Sequence, residues 1–509
     1  MREKVHIDLY ARWAAIKGDY PEELSEELRY RDPGAFFKGR FSRWGNYSGW
    51  KNMINRHRIP AGLFLAMRDE LEEKLHIKFK VREHRHPPKY HKHRHLKSDR
   101  KYQNKAVEKM MKCHSGGIVH MATGVGKTYI AALYFSRLKG SGIFIVDELT
   151  LLHQAKDEIE KMLGEKVGIV GESKFRPERI TVATIQTLHI HRADKEYKKW
   201  SKGVDVVLID EFHIAINHRS RQTLTAIQPK LVFGLTATLE MTKKDVRMKA
   251  LSMAGKVCYS MPIEAGQREG VLSKGVAISV QIRQAETEPA RWPIAYQNIV
   301  VKSKPRQRTI VALVKECYNR GKAIVVLVER IPHLKDLSNR LEDIPHRLVY
   351  GAKSVEDRIK AKKDFQKGKL RVILTNKVFK KGINIPAIDV IVDAAASKSK
   401  NDAVQKYGRG IRISEGKRGL IYFDISDRSP EGLTTSDPGS NRFSKATGSR
   451  LRALKAAGIA VHEIEAYPKE WDSSGYSYSR TARTIYKFGE KKLDKVLRRK
   501  HGKSHSSSS

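Results

Sequence analysis

Met121-Ala122-Thr123-Gly124-Val125-Gly126-Lys127-Thr128 is the stretch on which the reading of this chain turns. It follows a short apolar run, Gly117-Ile118-Val119-His120, and leads into the helix-like Tyr129-Ile130-Ala131-Ala132-Leu133. A glycine-bearing turn between strand and helix leaves the backbone N–H groups of Thr123, Gly124, Val125 and Gly126 pointing inward. There they can cradle the β-phosphate of a nucleotide, and the positive end of the following helix aims at the same place. Lys127 then reaches the β- and γ-phosphates of ATP, and Thr128 offers its hydroxyl to Mg²⁺. Met121 stands where the general phosphate-binding loop has its first glycine. By itself the motif decides nothing, so the rest of the chain has to.

Outward from it, short β-branched runs alternate with helical patterns. Ile143–Val146, Ile180–Ala183, Val206–Ile209 and Leu231–Gly234 read as strands, with a helix over Leu151–Leu163. Strands apolar on both faces imply a parallel sheet covered by helices. The alternation restarts near Pro305, with strands at Ala323–Val328, Arg371–Leu374, Val390–Val392 and Gly419–Phe423. The expected fold is α/β, two tandem parallel-sheet domains with a small N-terminal α+β domain and a basic C-terminal extension. The expected boundaries are 1–81 for the N-terminal domain, 82–97 for a basic, His-rich linker and 98–260 for the first α/β domain. An inter-domain insertion over 261–304, the second α/β domain over 305–428 and a C-terminal region with a disordered tail over 429–509 complete the chain.

Composition narrows the partners. The 509 residues carry 99 Lys+Arg against 56 Asp+Glu, a formal charge of +43. That surplus exceeds what solubility needs and points to a polyanion, nucleic acid before an anionic membrane. No apolar stretch approaches the roughly 20 residues of a membrane span. Cys113, Cys258 and Cys317 are scattered, with neither disulfide nor zinc spacing, so a reducing cytoplasm is the expected setting. The histidines at 84, 86, 91, 93 and 95 invite a metal reading. Their neighbours are Arg and Lys, which favours a basic stretch touching phosphates.

Three further motifs follow strands or helices. Asp210-Glu211-Phe212-His213 puts two acids at the C-terminal edge of an apolar strand, where such sheets hold ligands. Asp210 suits the Mg²⁺ shell, and Glu211 suits the water attacking the γ-phosphate. Gly234-Leu235-Thr236-Ala237-Thr238 supplies two hydroxyls that could relay the state of the phosphate site, although an ordinary polar turn reads the same way. Gln405-Lys406-Tyr407-Gly408-Arg409-Gly410-Ile411-Arg412 sets two arginines three apart, with planar guanidinium groups suited to phosphate oxygens.

In this order the motifs resemble those of the superfamily 2 DExH-box helicases over about Ser98–Asp427. The resemblance extends to Tyr102-Gln103, Leu149–Gln154, Ala183–Thr187, Val326–Glu329 and Thr375–Pro386. It implies two RecA-like domains, with Gln103 on adenine and Lys127, Thr128, Asp210 and Glu211 on phosphate, Mg²⁺ and water. It further implies His213, Thr236, Thr238 and Gln405 as couplers, Gln405 also at the nucleotide, and Arg409 and Arg412 on the γ-phosphate. Thr184, Gln186, Thr375, Lys380 and Lys381 would touch nucleic acid. Asn384 stands where the family usually has an aspartate.

Arg40–Trp50 and Ile59–Leu63 are similar to the N-terminal domain of phage UvsW-like helicases, which act on forks, Holliday junctions and R-loops. Arg43 and Trp44, in a run that interleaves arginines and aromatic rings, suit phosphate contact and base stacking. The expectation is an ATP- and Mg²⁺-dependent DNA helicase or translocase on branched DNA, with RNA–DNA hybrids a further substrate, no membrane, and replication or recombination proteins as further partners. An RNA helicase, a restriction-type translocase and a nucleic-acid-binding protein with a decayed ATPase remain as alternatives.

Overall fold

Runs of β-branched residues need cover on both faces, and the chain supplies it twice. The structure is a computed structural model; it describes residues 3–35, 48–92, 96–147, 149–238, 241–283, 291–351, 354–376, 387–429, 442–466 and 477–498. Contacts divide the chain into two units, residues 1–121 with 126–260, and residues 122–125 with 261–509.

In the first unit, strands run across one sheet in the order Lys174–Arg176, Gly168–Gly171, Ile180–Thr184, Ser141–Val146, Val204–Ile209, Leu231–Thr236, Gly117–Met121 and Val257–Met261. The pairs from Gly168–Gly171 through Gly117–Met121 are parallel. The four expected strands are present, each a little longer, and the helix Leu149–Leu163 matches the expected one closely.

A second, four-stranded sheet in the order Arg58–Pro60, Trp13–Lys17, Glu3–Leu9 and Ile77–Glu83 forms the N-terminal α+β domain. Alternation in Glu3–Leu9 turns Val5, Ile7 and Leu9 inward, against Leu63, Phe64, Met67 and Leu71 of the helix Ala61–Lys74. The same core takes in Met248 and Leu251 of the helix Lys244–Ala254, so this domain docks on the α/β domain. The approach is close: a methyl group on Gly62 would lie 2.5 Å from the Leu251 carbonyl oxygen. An Arg247–Glu70 pair at 2.9 Å borders the contact.

The stretch expected as a linker over 82–97 is tied down instead. Arg82 and Glu83 complete the strand Ile77–Glu83. Backbone bonds from His91 N to Arg137 O (2.8 Å) and from Lys139 N to Lys89 O (2.9 Å) fasten the rest, since its polar backbone finds partners on the α/β domain. His84 stacks on Tyr10 at 4.8 Å and meets Asp8 at 3.3 Å. His93 and His95 lie outside the described residues, and no metal-holding group of three such side chains occurs among the described ones.

The second unit carries a seven-stranded sheet in which every pair is parallel: Arg347–Val349, Val372–Thr375, Ile324–Leu327, Val390–Asp393, Leu420–Arg428, Gly275–Arg283 and Ala460–Glu465. Two departures from the sequence reading stand here. Gly275–Arg283 lies within the stretch expected as an insertion, yet it is an inner strand, apolar enough to be buried along eight of its nine residues. The C-terminal region is no loose extension either. Its strand Ala460–Glu465 closes one sheet edge, its helix Arg442–Ala456 packs on Lys400–Gly410, and its helix Tyr478–Arg498 packs on Lys304–Asn319. Residues 499–509, expected as a disordered tail, lie outside the described residues.

Trp292 stacks on Phe443 at 4.5 Å, with the Lys398 ammonium 3.5 Å from its ring centre, a packing position. Among the described residues no helix is long and apolar enough to cross a membrane.

Candidate nucleotide and nucleic-acid sites

Three adjacent strands of the first sheet, Val204–Ile209, Leu231–Thr236 and Gly117–Met121, bring their C-terminal ends side by side. Asp210, Thr236 and the phosphate-binding turn therefore share one edge, the edge at which parallel sheets take ligands. Gly126, at φ +84°, is the N-cap of the helix Lys127–Arg137. It has to be glycine twice over: the backbone is left-handed, and a methyl group would lie 2.7 Å from the Gln103 amide nitrogen. Gln103 itself is buried and accepts from Ser98 Oγ, so the turn and the glutamine are held together.

Lys127 Nζ lies 3.9 Å from Glu211 Oε1. Glu211 adopts the left-handed region at φ +50°, ψ +56°, rare for a side chain of this size and typical of residues held for a purpose. His213 Nδ1 stands 3.5 Å from Glu211 Oε2. Asp210 is buried, and its Oδ1 has no hydrogen-bond partner. Burial pushes its carboxyl up to about 6; Lys127 opposes the rise and Glu211 adds to it. A buried acid with an unsatisfied oxygen beside a phosphate-binding turn fits a divalent cation. Among the described residues no three candidate ligands cluster, as expected for Mg²⁺, which keeps waters and phosphate oxygens as most of its shell. Thr236 Oγ1 donates to the Thr238 carbonyl (2.8 Å) and accepts from the Thr238 N–H (3.2 Å), closing the turn on itself.

The second unit places Gln405 and Arg409 on the helix Lys400–Gly410, with Arg412 just past its end. Burial, then Arg409, brings the Arg412 guanidinium down to about 10, so this pair of cations favours an anion between or beside them. Two lysines that no sequence pattern singled out support this helix. Lys406 is buried between Asp393 (2.8 Å) and Asp402 (2.9 Å). Lys417 donates to the Gly410 and Arg412 carbonyls, the latter at 3.0 Å, at the negative end of the helix. Only the acid after the strand Val390–Val392 hinted at the first of these; nothing hinted at the second.

The expected nucleic-acid contacts fare differently. Gln186 is exposed and donates to the Asp147 carbonyl at 3.3 Å. Thr184 and Thr375 are both buried; Thr184 caps the helix Ile185–His191 by accepting from Thr187 N. Their hydroxyls point inward because each ends an interior strand, so only their backbone is available to a ligand. Arg43, Trp44, Lys380, Lys381 and Asn384 lie outside the described residues.

Residues 96–241 match the family described as "Type III restriction enzyme, res subunit", and residues 307–414 match "Helicase conserved C-terminal domain". A "DNA 3'-5' helicase XPB" of Kineococcus radiotolerans is 25% identical over 342 residues, 64% of this chain and 58% of that protein. The chain thus spans less than two thirds of that relative's length. Among solved structures, a DNA-bound Type ISP restriction-modification enzyme, LlaBIII, aligns over 79% of this chain and 33% of that one at a TM-score of 0.54 and 16% identity, which supports the fold. The crystal structure of T4 UvsW aligns over 91% of this chain and 100% of that chain, at 17% identity and a TM-score of 0.42.

Proposed function

We infer that this chain, which belongs to the superfamily 2 helicases, hydrolyses ATP and uses the cycle to move along nucleic acid, branched DNA above all. The observation that carries the reading is the edge of the first sheet. There Gln103, Gly126, Lys127, Asp210 and Glu211 converge, and the buried, unsatisfied Asp210 oxygen fits a metal.

Gln103 reads the base, and the backbone N–H groups of Thr123–Gly126 hold the phosphates with Lys127. Thr128 and Asp210 hold Mg²⁺, which when bound neutralises charge developing on the γ-phosphate. Glu211, fixed in its strained conformation, orients the attacking water and takes its proton. Arg409 and Arg412 act on the γ-phosphate. His213, Thr236, Thr238 and Gln405 pass the state of the site onward. Nucleic acid is gripped through its phosphates, which suits a motor indifferent to sequence. The surplus of +43 supports a polyanionic track, and the exposed cations of the docked N-terminal domain support contact with duplex near a branch.

ATPase assays on single strand, duplex, fork, four-way junction and RNA test this. Forked DNA should stimulate most. Lys127→Ala should cut stimulated turnover by about 10²-fold or more while leaving DNA binding intact, and Glu211→Gln should retain ATP without turning it over. Undiminished turnover in both variants refutes the site. Equal stimulation by RNA refutes the choice of DNA.

A further inference from the structure

The turn that precedes the docking helix is built against its own sequence. Asn55 and Arg58 exchange two backbone hydrogen bonds, each 3.0 Å, so only Arg56 and His57 form the loop of this hairpin. Both lie in the left-handed region, at φ +49° and +57°. Two-residue hairpins of this kind favour Asn-Gly, because side chains such as arginine and histidine are strained there. Ile54 and Ile59, buried on either side, hold the turn in place. The chain therefore carries two strained residues where two unstrained ones would fold better. What it gains is a narrow tip of three successive exposed basic side chains: Arg56, His57 and Arg58.

The surroundings specify what such a tip can bind. Arg58 lies over Trp13 at 5.2 Å, and His57 meets the Tyr20 ring edge-on at 5.4 Å. The nearby rings are thus already engaged by the hairpin, which leaves charge as the means of recognition. Lys17, mostly exposed, adds to it from the adjoining strand. A charge-only contact favours the form of nucleic acid with the denser phosphates, the duplex. The placement is also mechanical. Arg58–Pro60 runs directly into the helix Ala61–Lys74, which is packed on Lys244–Ala254 of the first α/β domain. A load on the tip passes through one short strand and one helix to the domain that holds the nucleotide site.

We propose that the Arg56–His57 hairpin grips the phosphate backbone of duplex nucleic acid and ties that grip to the first motor domain. This rests on the nucleic-acid reading above and adds to it the element and the form of the ligand.

The test is Arg56→Asn/His57→Gly in the full chain, a substitution that relieves the strain and removes the charge together. The variant should melt no lower than the parent, since Asn-Gly suits the turn better. Its affinity for a fluorescent blunt duplex at about 0.1 M salt should fall at least roughly tenfold. The slope of log affinity against log salt should lessen by about 0.9 per lost phosphate contact, nearly 2 in all. Affinity for a single strand should change less than about twofold, the grip being on the denser duplex. A well-folded variant with unchanged duplex affinity and salt slope overturns the proposal, and an equal loss on single strands overturns its choice of duplex. Failure of the wider reading would show separately, as a parent protein that binds no nucleic acid or whose ATPase none of them stimulates.

Discussion

Replacing Arg450 by methionine removes a guanidinium from the middle of the second unit and leaves its shape nearly filled. Arg450 sits on the helix Arg442–Ala456 and is 1% exposed. Its Nε lies 3.2 Å from both carboxylate oxygens of Asp424, and its Nη1 donates to the Ser397 carbonyl at 2.9 Å. Burial works against its charge, but Asp424 and Asp393 outweigh burial and hold the guanidinium above its ordinary value. In Arg450→Met the Asp424 carboxylate keeps the Ser426 hydroxyl at 3.0 Å and loses its cation. An uncompensated charge of this kind costs about 3–5 kcal/mol, and removing both charges is close to neutral. Asp424→Asn/Arg450→Met should therefore recover most of the loss, a coupling of about 2–3 kcal/mol.

A chain with several domains does not unfold in one step, so hydrogen exchange read by mass spectrometry is the better assay. About 3 kcal/mol speeds exchange by roughly 100-fold in amides that open with this helix. The effect should be confined to 442–456 and 420–428, while the strand Gly117–Met121 of the first unit stays protected. That helix packs on Lys400–Gly410, so stimulated turnover should fall with it. Unchanged exchange in Arg450→Met refutes the reasoning. So does a double variant that exchanges as fast as the single one.

Two titrations give further tests. His333 is buried, with Nε2 3.0 Å from Gln307 Oε1; burial, then Arg306, pulls it down to about 3. The folded value lies below the unfolded one near 6.5, so the unfolded chain binds the extra proton. Stability is complete above pH ~6.5 and lost as pH falls toward 3, by about 2 kcal/mol at pH ~5. His333→Gln should flatten that limb, and parallel acid limbs in parent and variant refute the assignment. Lys417 is brought down to about 8 by burial, against the pull of Asp389 and with a further push from Arg412. Turnover should decline above pH ~8 as this cation leaves the end of the arginine-bearing helix. Lys417→Arg, which stays charged, should carry the decline to higher pH, and an unmoved alkaline limb refutes the link.

The strands around the phosphate-binding turn were legible because each is a continuous β-branched run, and such runs have few other uses. Short edge strands such as Lys174–Arg176 and Arg347–Val349 were not, since three residues carry no period. Gly275–Arg283 was seen as β-like, but nothing local told which sheet would take it. Ala460–Glu465 and Tyr478–Arg498 read as a basic extension because their charged faces outnumber their buried ones in the text. Their place in the second domain depends on partners such as Asp424 and the strand Gly275–Arg283, far away along the chain.

The residues of the nucleotide site come from sequence alone. Gly126, Lys127, Asp210, Glu211, Arg409 and Arg412 do their work at strand and helix ends, where local chemistry and spacing are nearly the whole story. Tertiary structure decided what surrounds them. It left Asp210 buried with an unpaired oxygen, placed Glu211 in a strained conformation, and turned Thr184 and Thr375 inward. It also set Lys417 under the arginine-bearing helix and put Arg56 and His57 at a left-handed tip. Burial, strain and ion pairing depend on which distant segments meet, and no window of sequence contains both partners.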